Sequence, residues 1–312
     1  MRKRFEWRTA KRSIVLGKRT LVMGVVNVTP DSFSDGGRFE SAEVAVVHAL
    51  KLLEEGADIL DIGGESTRPG TKVESGRRRE GVVSAQEEVD RILPVIEGVL
   101  KQKPQAAISV DTYKCETARS AVAAGAEIVN DVSGFTWDPE MARTLAELRC
   151  GAVMMHTRGQ PEEWGKLPPL EDPVGMVMRE MGEAVAFALR SGLNRENLVV
   201  DPGFGFGKRF SENYPLLSRF GEFANLGFPL LAGPSRKSFI GRVVGKRLAE
   251  VAGTAPQDQP APDRLFGTLA AVVACVLQGA HIVRVHDVAA TVQAVAVADE
   301  MLRVGPRVQT NI

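Results

Sequence analysis

The chain has no surplus charge: 39 Lys and Arg stand against 39 Asp and Glu. It therefore has no global basic field for a nucleic acid or an anionic membrane, and any anion site must be local. Cysteine is scarce, three in 312 residues, and Cys115, Cys150 and Cys275 form no CxxC pair. That excludes a disulfide scaffold, and because all three sit in core-like segments, the expectation is buried thiols in a reducing cytoplasm. Long apolar runs are missing too. The longest, 269–277, ends at Gln278 and is too short to span a bilayer. The opening MRKRFEW is charged with no apolar stretch behind it, so no secretory leader is expected. These readings describe a soluble, cytoplasmic protein with no nucleic-acid or membrane partner. Two nucleotide fingerprints are lacking as well: 203–207 reads GFGFG, not GxGxxG, and Lys208 is followed by Arg209 where a phosphate loop has Ser or Thr.

What the sequence does contain is a repeat of organisation. Short runs rich in β-branched residues recur at 21–28, 58–63, 107–112, 128–132, 151–156, 198–201, 229–233 and 282–286, bounded by Gly, Pro, Asn or Asp. Their nearly continuous apolar character fits parallel strands covered on both faces. Between them lie amphipathic stretches such as 41–55, 84–100, 114–124, 173–191 and 289–302, several ending at glycine. Eight such units in this length predict an α/β fold, a (β/α)8 TIM barrel, which typically takes roughly 250 residues. The whole chain, 1–312, reads as one domain, with 1–20 a short N-terminal hairpin closing the barrel floor. Two long stretches, 64–83 and 245–262, read as irregular surface insertions or lids.

In such a barrel, chemistry sits at the carboxyl ends of the strands. Nearly every strand here ends in polar residues: Asn27, Asp61, Asp111, Asn130 with Asp131, His156, Asp201, Ser235 with Arg236 and Lys237, and Arg284 with His286 and Asp287. A single strand-end Asp is often just a helix cap. Eight polar ends around one mouth would be costly without a ligand. Asp111, Asn130 and Asp201 suit a flat heterocycle rich in N–H donors, while Arg284, His286 and the turn before Ser238 suit a phosphate. No Ser/His/Asp or Cys/His arrangement points to a covalent nucleophile.

The segments MGVVNVTPDSFSDGG at 23–37 and DIGGESTRPG at 61–70 closely resemble the two signatures of the dihydropteroate synthase family. The resemblance runs on through SVD at 109–111, VND at 129–131, MMH at 154–156, DPGFGFGK at 201–208, SRKS at 235–238 and RVHDV at 284–288. It implies a barrel enzyme of folate synthesis, a homodimer, joining 6-hydroxymethyl-7,8-dihydropterin pyrophosphate to 4-aminobenzoate. On that resemblance Asp201 and Asn130 accept from the pterin, Lys237 donates to it and Asp111 faces its opposite edge. Asn27, Arg284 and His286 hold the pyrophosphate, with Asn27 also on Mg2+. Phe33, Thr67, Pro69, Phe206, Gly233 and Ser238 shape the aminobenzoate slot, and Arg68 and Met155 join the substrate-binding set. Loops 29–39 and 65–83 are expected to close over the site. The alternative is a methyltetrahydrofolate-type pterin-binding module serving a cobalamin protein, which shares the Asp/Asn/Asp grip but has no use for the 27–33 and 235–237 motifs. His48 reads as structural or solvated, His281, at the amino end of the eighth strand, as not catalytic, Phe204 as loop packing or slot, and Arg77 to Arg79 as a solvated face.

Overall fold

A computed structural model describes residues 2–29, 38–73 and 82–304. Phe33 and Arg77 to Arg79 lie outside the described residues. An antiparallel hairpin, β1 (Phe5–Arg8) and β2 (Ser13–Leu16), comes first. Eight parallel strands follow, β3 (Leu21–Asn27), β4 (Ile59–Gly63), β5 (Ala107–Asp111), β6 (Ile128–Asp131), β7 (Gly151–Met155), β8 (Leu198–Asp201), β9 (Leu231–Ala232) and β10 (Ile282–Val285). They alternate with α1 (Arg38–Glu54), α2 (Ala85–Gln102), α3 (Cys115–Ala123), α4 (Met141–Leu148), α5 (Pro173–Arg190), α6 (Asn213–Ser218), α7 (Ser238–Ala252), α8 (Leu265–Leu277) and α9 (Val288–Val304). Each strand pairs with its sequence neighbour, β10 returns to β3, and the β8/β9 seam is held by a single bridge between Val200 and Leu230.

The elements start and stop for local reasons. Ser84 and Glu87 form a reciprocal capping box at the start of α2, and Asp172 caps α5 ahead of Pro173. Gly56 and Gly192 take positive φ, as the sequence pattern expects at helix ends. One expectation needs correction. Residues 245–252 are not an irregular insertion but the second half of α7. Gly241 and Gly245 look like breakers, yet they sit in the helix because residues 257–259 fold back onto it: a Cβ on Gly245 would lie 1.8 Å from the Gln257 carbonyl oxygen. Only the stretch after Gly253 is irregular.

Two-residue alternation divides each strand between two environments. Outward residues such as Val22, Leu60, Ile108, Val129, Met154 and Val283 pack against the helices. Inward residues Met23, Ile59, Ala107, Ile128, Val153, Val199, Leu231 and Ile282 form the lower barrel core, covered from below by Trp7 and Leu16 of the hairpin. Trp7 is wholly buried and donates its indole N–H to the Asn197 carbonyl at 2.8 Å. His281 belongs to this end: Leu230 donates its backbone N–H to the ring Nδ1 at 3.1 Å, and Nε2 lies 3.0 Å from the Lys3 carbonyl oxygen. His48 is exposed on α1.

Candidate active site

Two residues beyond the apolar layer, the same alternation turns Asp61, Ser109, Asn130, Met155, Asp201, Gly233 and Arg284 inward, and further on Asn27, Asp111 and His286. Not all of the expected convergent groups fall on this side; Arg236 and Asp287, for example, pair with each other. Asp131 and His156 have the opposite parity, so Asp131 accepts the backbone N–H groups of Ser133 and Phe135, and His156 Nε2 meets Glu180 of α5 at 2.9 Å. They build loops and do not face the barrel axis.

The inward groups form one network. Arg284 donates Nε–H to Asp61 Oδ2 and Nη2–H to Asp111 Oδ2, both at 2.6 Å, and Asn130 donates its amide N–H to the same Asp61 oxygen at 3.0 Å. Asn130 thereby has its carbonyl oxygen as the atom with which to accept from a ligand. Asp61 Oδ1 and the Ser109 hydroxyl are buried with no hydrogen-bond partner among the described residues, the condition of a site built for a polar guest. Burial pushes the Asp111 carboxyl up and the nearby Asp61 adds to the rise, because two carboxylates share one guanidinium; Arg284 only partly opposes this. The Arg284 guanidinium suffers from burial, but Asp61 and Asp111 outweigh it and its pKa ends above the ordinary value.

Across the mouth, Asp201 Oδ1 accepts the Gly203 N–H at 2.7 Å, and burial raises its pKa to about 6 against the pull of Gly203 and Lys237. Gly233 leaves open the space between Asp201 and Arg284: a Cβ there would stand 3.7 Å from Asp201 Oδ2 and 3.8 Å from the Arg284 Cβ. The Lys237 stem passes over Gly205 and its ammonium sits 3.9 Å from the Phe206 ring centroid. Burial, then Arg284, lower its pKa to about 8. Arg236 just before it has φ of 57°, a left-handed conformation costly for a residue with a Cβ. Its double ion pair to Asp287, at 3.0 and 2.6 Å, holds that turn.

His286 lies beside Ser235, whose Oγ accepts the His286 backbone N–H at 3.2 Å and stands 3.0 Å from Nδ1. With the hydroxyl proton directed to Nδ1, the tautomer left is Nε2–H, a neutral donor. Burial, then Arg284, hold its pKa down at about 3. Phe206 and Met155 join Val73, Tyr113, Val132 and Trp137 in an apolar cluster at the rim. Thr67 is half-buried, Arg68 and Pro69 are exposed, and a groove of about 1060 Å³ beside them is lined by Pro69, Trp164, Gly205, Ser238 and Arg242. Phe204 is not part of it; its ring packs against Phe220 and Phe239.

The sequence reading did not assign Asp61 a role, although its parity with Ile59 carried the signal. It also passed over Lys208, whose buried ammonium donates to the His156, Gly203 and Phe206 carbonyls and so shapes the glycine loop. Burial lowers its pKa to about 7. Cys150 and Cys275 are buried as expected. Cys115 is only half-buried, because it opens α3 at the barrel rim.

A parallel barrel with a desolvated, hydrogen-bonding layer at its strand ends is the architecture of a barrel enzyme that grips a polar heterocycle. Residues 23–286 match the pterin binding enzyme family. The chain is 42% identical to the dihydropteroate synthase of Synechocystis over 288 residues, 92% of each chain. Among solved structures, the Xanthomonas albilineans dihydropteroate synthase with 4-aminobenzoic acid is 41% identical and superposes with a TM-score of 0.82, covering 97% of this chain and all of that one. The same enzyme in complex with 7,8-dihydropteroate gives 40% identity and a TM-score of 0.75, covering 94% and 97%. The chain belongs to the pterin binding enzymes, in their dihydropteroate synthase branch.

Proposed function

We propose that the chain condenses 6-hydroxymethyl-7,8-dihydropterin pyrophosphate with 4-aminobenzoate, giving 7,8-dihydropteroate and pyrophosphate. The observation that carries this is the hydrogen-bonded group of Asp61, Asn130, Asp111 and Arg284 at the strand ends, with Asp201 and Lys237 at the same mouth. It offers acceptors and donors on opposite sides of a flat slot. Asn130 and Asp201 accept from pterin N–H groups, Lys237 donates to the carbonyl and ring-nitrogen edge, and Asp111 faces the far edge. Met155 and Phe206 supply apolar wall.

The bond from the exocyclic CH2 to the pyrophosphate oxygen breaks first, because the dihydropterin delocalises the resulting positive charge. The neutral amine of 4-aminobenzoate then attacks that carbon, and the resulting ammonium gives its proton to the released pyrophosphate or to water. Protein assistance is electrostatic. Arg284 keeps Nε and Nη2 on its carboxylates and has Nη1 for the departing anion, while neutral His286 gives one N–H. Thr67 and Pro69 border the acceptor, and the acceptor carboxylate lies at Ser238, where the first turn of α7 has backbone N–H groups to offer. Arg68, exposed on the same loop, adds positive charge at the entrance.

The family implies Mg2+, and the donor set suits it. Asn27 is exposed at the end of β3, next to the strand bearing Arg284 and His286, and magnesium takes few protein oxygens when phosphates and water supply the rest. No group of three or more His, Cys, Asp or Glu among the described residues could hold a metal alone. Bound there, the ion would neutralise pyrophosphate charge. The test is release of pyrophosphate on adding 4-aminobenzoate to enzyme, Mg2+ and the pterin pyrophosphate; no release contradicts the assignment.

The protein also works as a homodimer in the cytoplasm in this reading. Apolar side chains stand exposed on three adjacent helices: Val243, Leu248 and Val251 on α7, Phe266 on α8, and Val297 and Met301 on α9. Phe266 is 83% exposed, which favours cover by a second copy. Sedimentation of the protein as a monomer at micromolar concentration would refute the dimer. Among the described residues no helix is long and apolar enough to cross a membrane.

A further inference from the structure

Beside the mouth lies a buried charge cluster that the pterin and phosphate contacts leave without a role. Glu65 stands two residues before Thr67, and its Oε2 accepts from the Lys114 ammonium at 2.5 Å while Oε1 accepts from the Tyr113 hydroxyl at 3.2 Å. Lys114 also reaches Glu88 Oε2 on α2 at 3.0 Å, and Thr117 donates to that same oxygen at 3.0 Å. The side chains of Lys114, Glu65 and Glu88 are only 6%, 5% and 1% exposed. One residue earlier in the loop, Arg91 of α2 donates to the Gly64 carbonyl at 2.7 Å. Backbone and side chain at the loop root are thus each tied to α2, the side chain through Lys114.

The far end of the same segment is pinned as well. Gly70 donates its N–H to the Pro161 carbonyl at 3.0 Å, next to the stretch whose Trp164 packs edge-on against Phe206. Thr67 and Pro69 therefore lie on a short span between two anchors. Burial works against the Lys114 ammonium, but Glu88 and Glu65 outweigh it and its pKa ends above the ordinary value, while burial raises that of Glu65 against the pull of Lys114.

We infer that Lys114 is a positioning residue for the acceptor: by holding Glu65 it sets where Thr67 and Pro69 stand relative to Ser238 and Phe206. This rests on the condensation proposed above, and misplacement of a binding group by about 1 Å can cost up to a hundredfold. Lys114→Met is expected to raise KM for 4-aminobenzoate about tenfold or more, with the dissociation constant for the pterin pyrophosphate unchanged. Lys114→Arg, which keeps the cation, should recover part of that loss. Should Lys114→Met fail to fold, Glu65→Gln reads the same clamp from its other side, with a smaller rise in the same KM. An unaltered acceptor KM, or a parallel loss of pterin pyrophosphate affinity, overturns the inference. Wild-type turnover in the same assay keeps failure of this inference separate from failure of the reaction assignment.

Discussion

The floor and the mouth of the barrel are built by the same strands under the same alternation, with opposite chemistry. At the floor, Ile59, Ile128, Val199 and Ile282 meet Trp7 and Leu16 in an apolar layer with nothing ionised in it. Two residues further along those strands, the inward positions are Asp61, Asn130, Asp201 and Arg284. Burying the first set is favourable at about 25 cal/mol per Å² of apolar surface. Burying the second costs free energy unless every charge finds a partner, and here two carboxylates share one guanidinium. Stability and function are therefore separated along the barrel axis, a turn of strand apart.

The sharpest test of that separation is at the floor. Trp7→Ala removes a fully buried indole and its hydrogen bond to Asn197, and should cost about 3–5 kcal/mol of stability, read by denaturant unfolding. Activity per folded molecule should be unchanged. A large fall in kcat/KM at full folding would mean the floor and mouth are coupled.

At the mouth the expected effects reverse. Lys237→Ala and Asp201→Asn should each lower kcat/KM about a hundredfold or more, with circular dichroism close to wild type. Either variant turning over at the wild-type rate would remove that residue from the site. Arg284→Ala should reduce kcat as well as raise KM, by about ten- to hundredfold for a charge-assisted contact of roughly 1.5–3 kcal/mol. A change confined to KM for aminobenzoate would place Arg284 elsewhere in the mechanism. His286→Ala should lose less, since one neutral N–H is replaced and not a fork of donors.

The smallest effect separates the two ends by pH. Asp201 has a pKa of about 6 in the folded protein against an ordinary 3.8. As a raised carboxylate it contributes stability in full below 3.8, and that contribution is lost as pH rises through about 6. Its ability to accept from the pterin runs the other way, so kcat/KM should fall as pH drops through the same window. Melting curves across that range should show the wild type losing stability relative to Asp201→Asn as pH rises. Parallel curves for the two proteins would assign the proton to another group.

Sequence reasoning reached most of the mouth because strand periodicity is local. Once 107–112, 128–132, 198–201 and 282–286 are strands, every second residue shares a side, and Asp111, Asn130, Asp201 and Arg284 follow. Parity between strands is harder: whether Asn130 or Asp131 faces inward depends on register with Asp111 and Val153, which no single segment contains. Gly245 misled for a related reason. A glycine inside a helix looks like a stop until the returning chain at 257–259 is seen to need the room.

By itself, the sequence determined the eight βα units, several helix ends, the hairpin, the apolar strand cores and the residue types gathered at the strand ends. Each of these depends on neighbours within a few residues, through backbone conformation, capping or two-residue alternation. Only the tertiary structure decided that Arg284 bridges Asp61 and Asp111, that the Ser235 hydroxyl meets His286 Nδ1, and that Lys114 ties Glu65 to α2. Those partners lie between 26 and 223 residues apart. Their pairing follows from closure of the barrel and from the cost of leaving a desolvated charge alone, and neither acts until the strands have met.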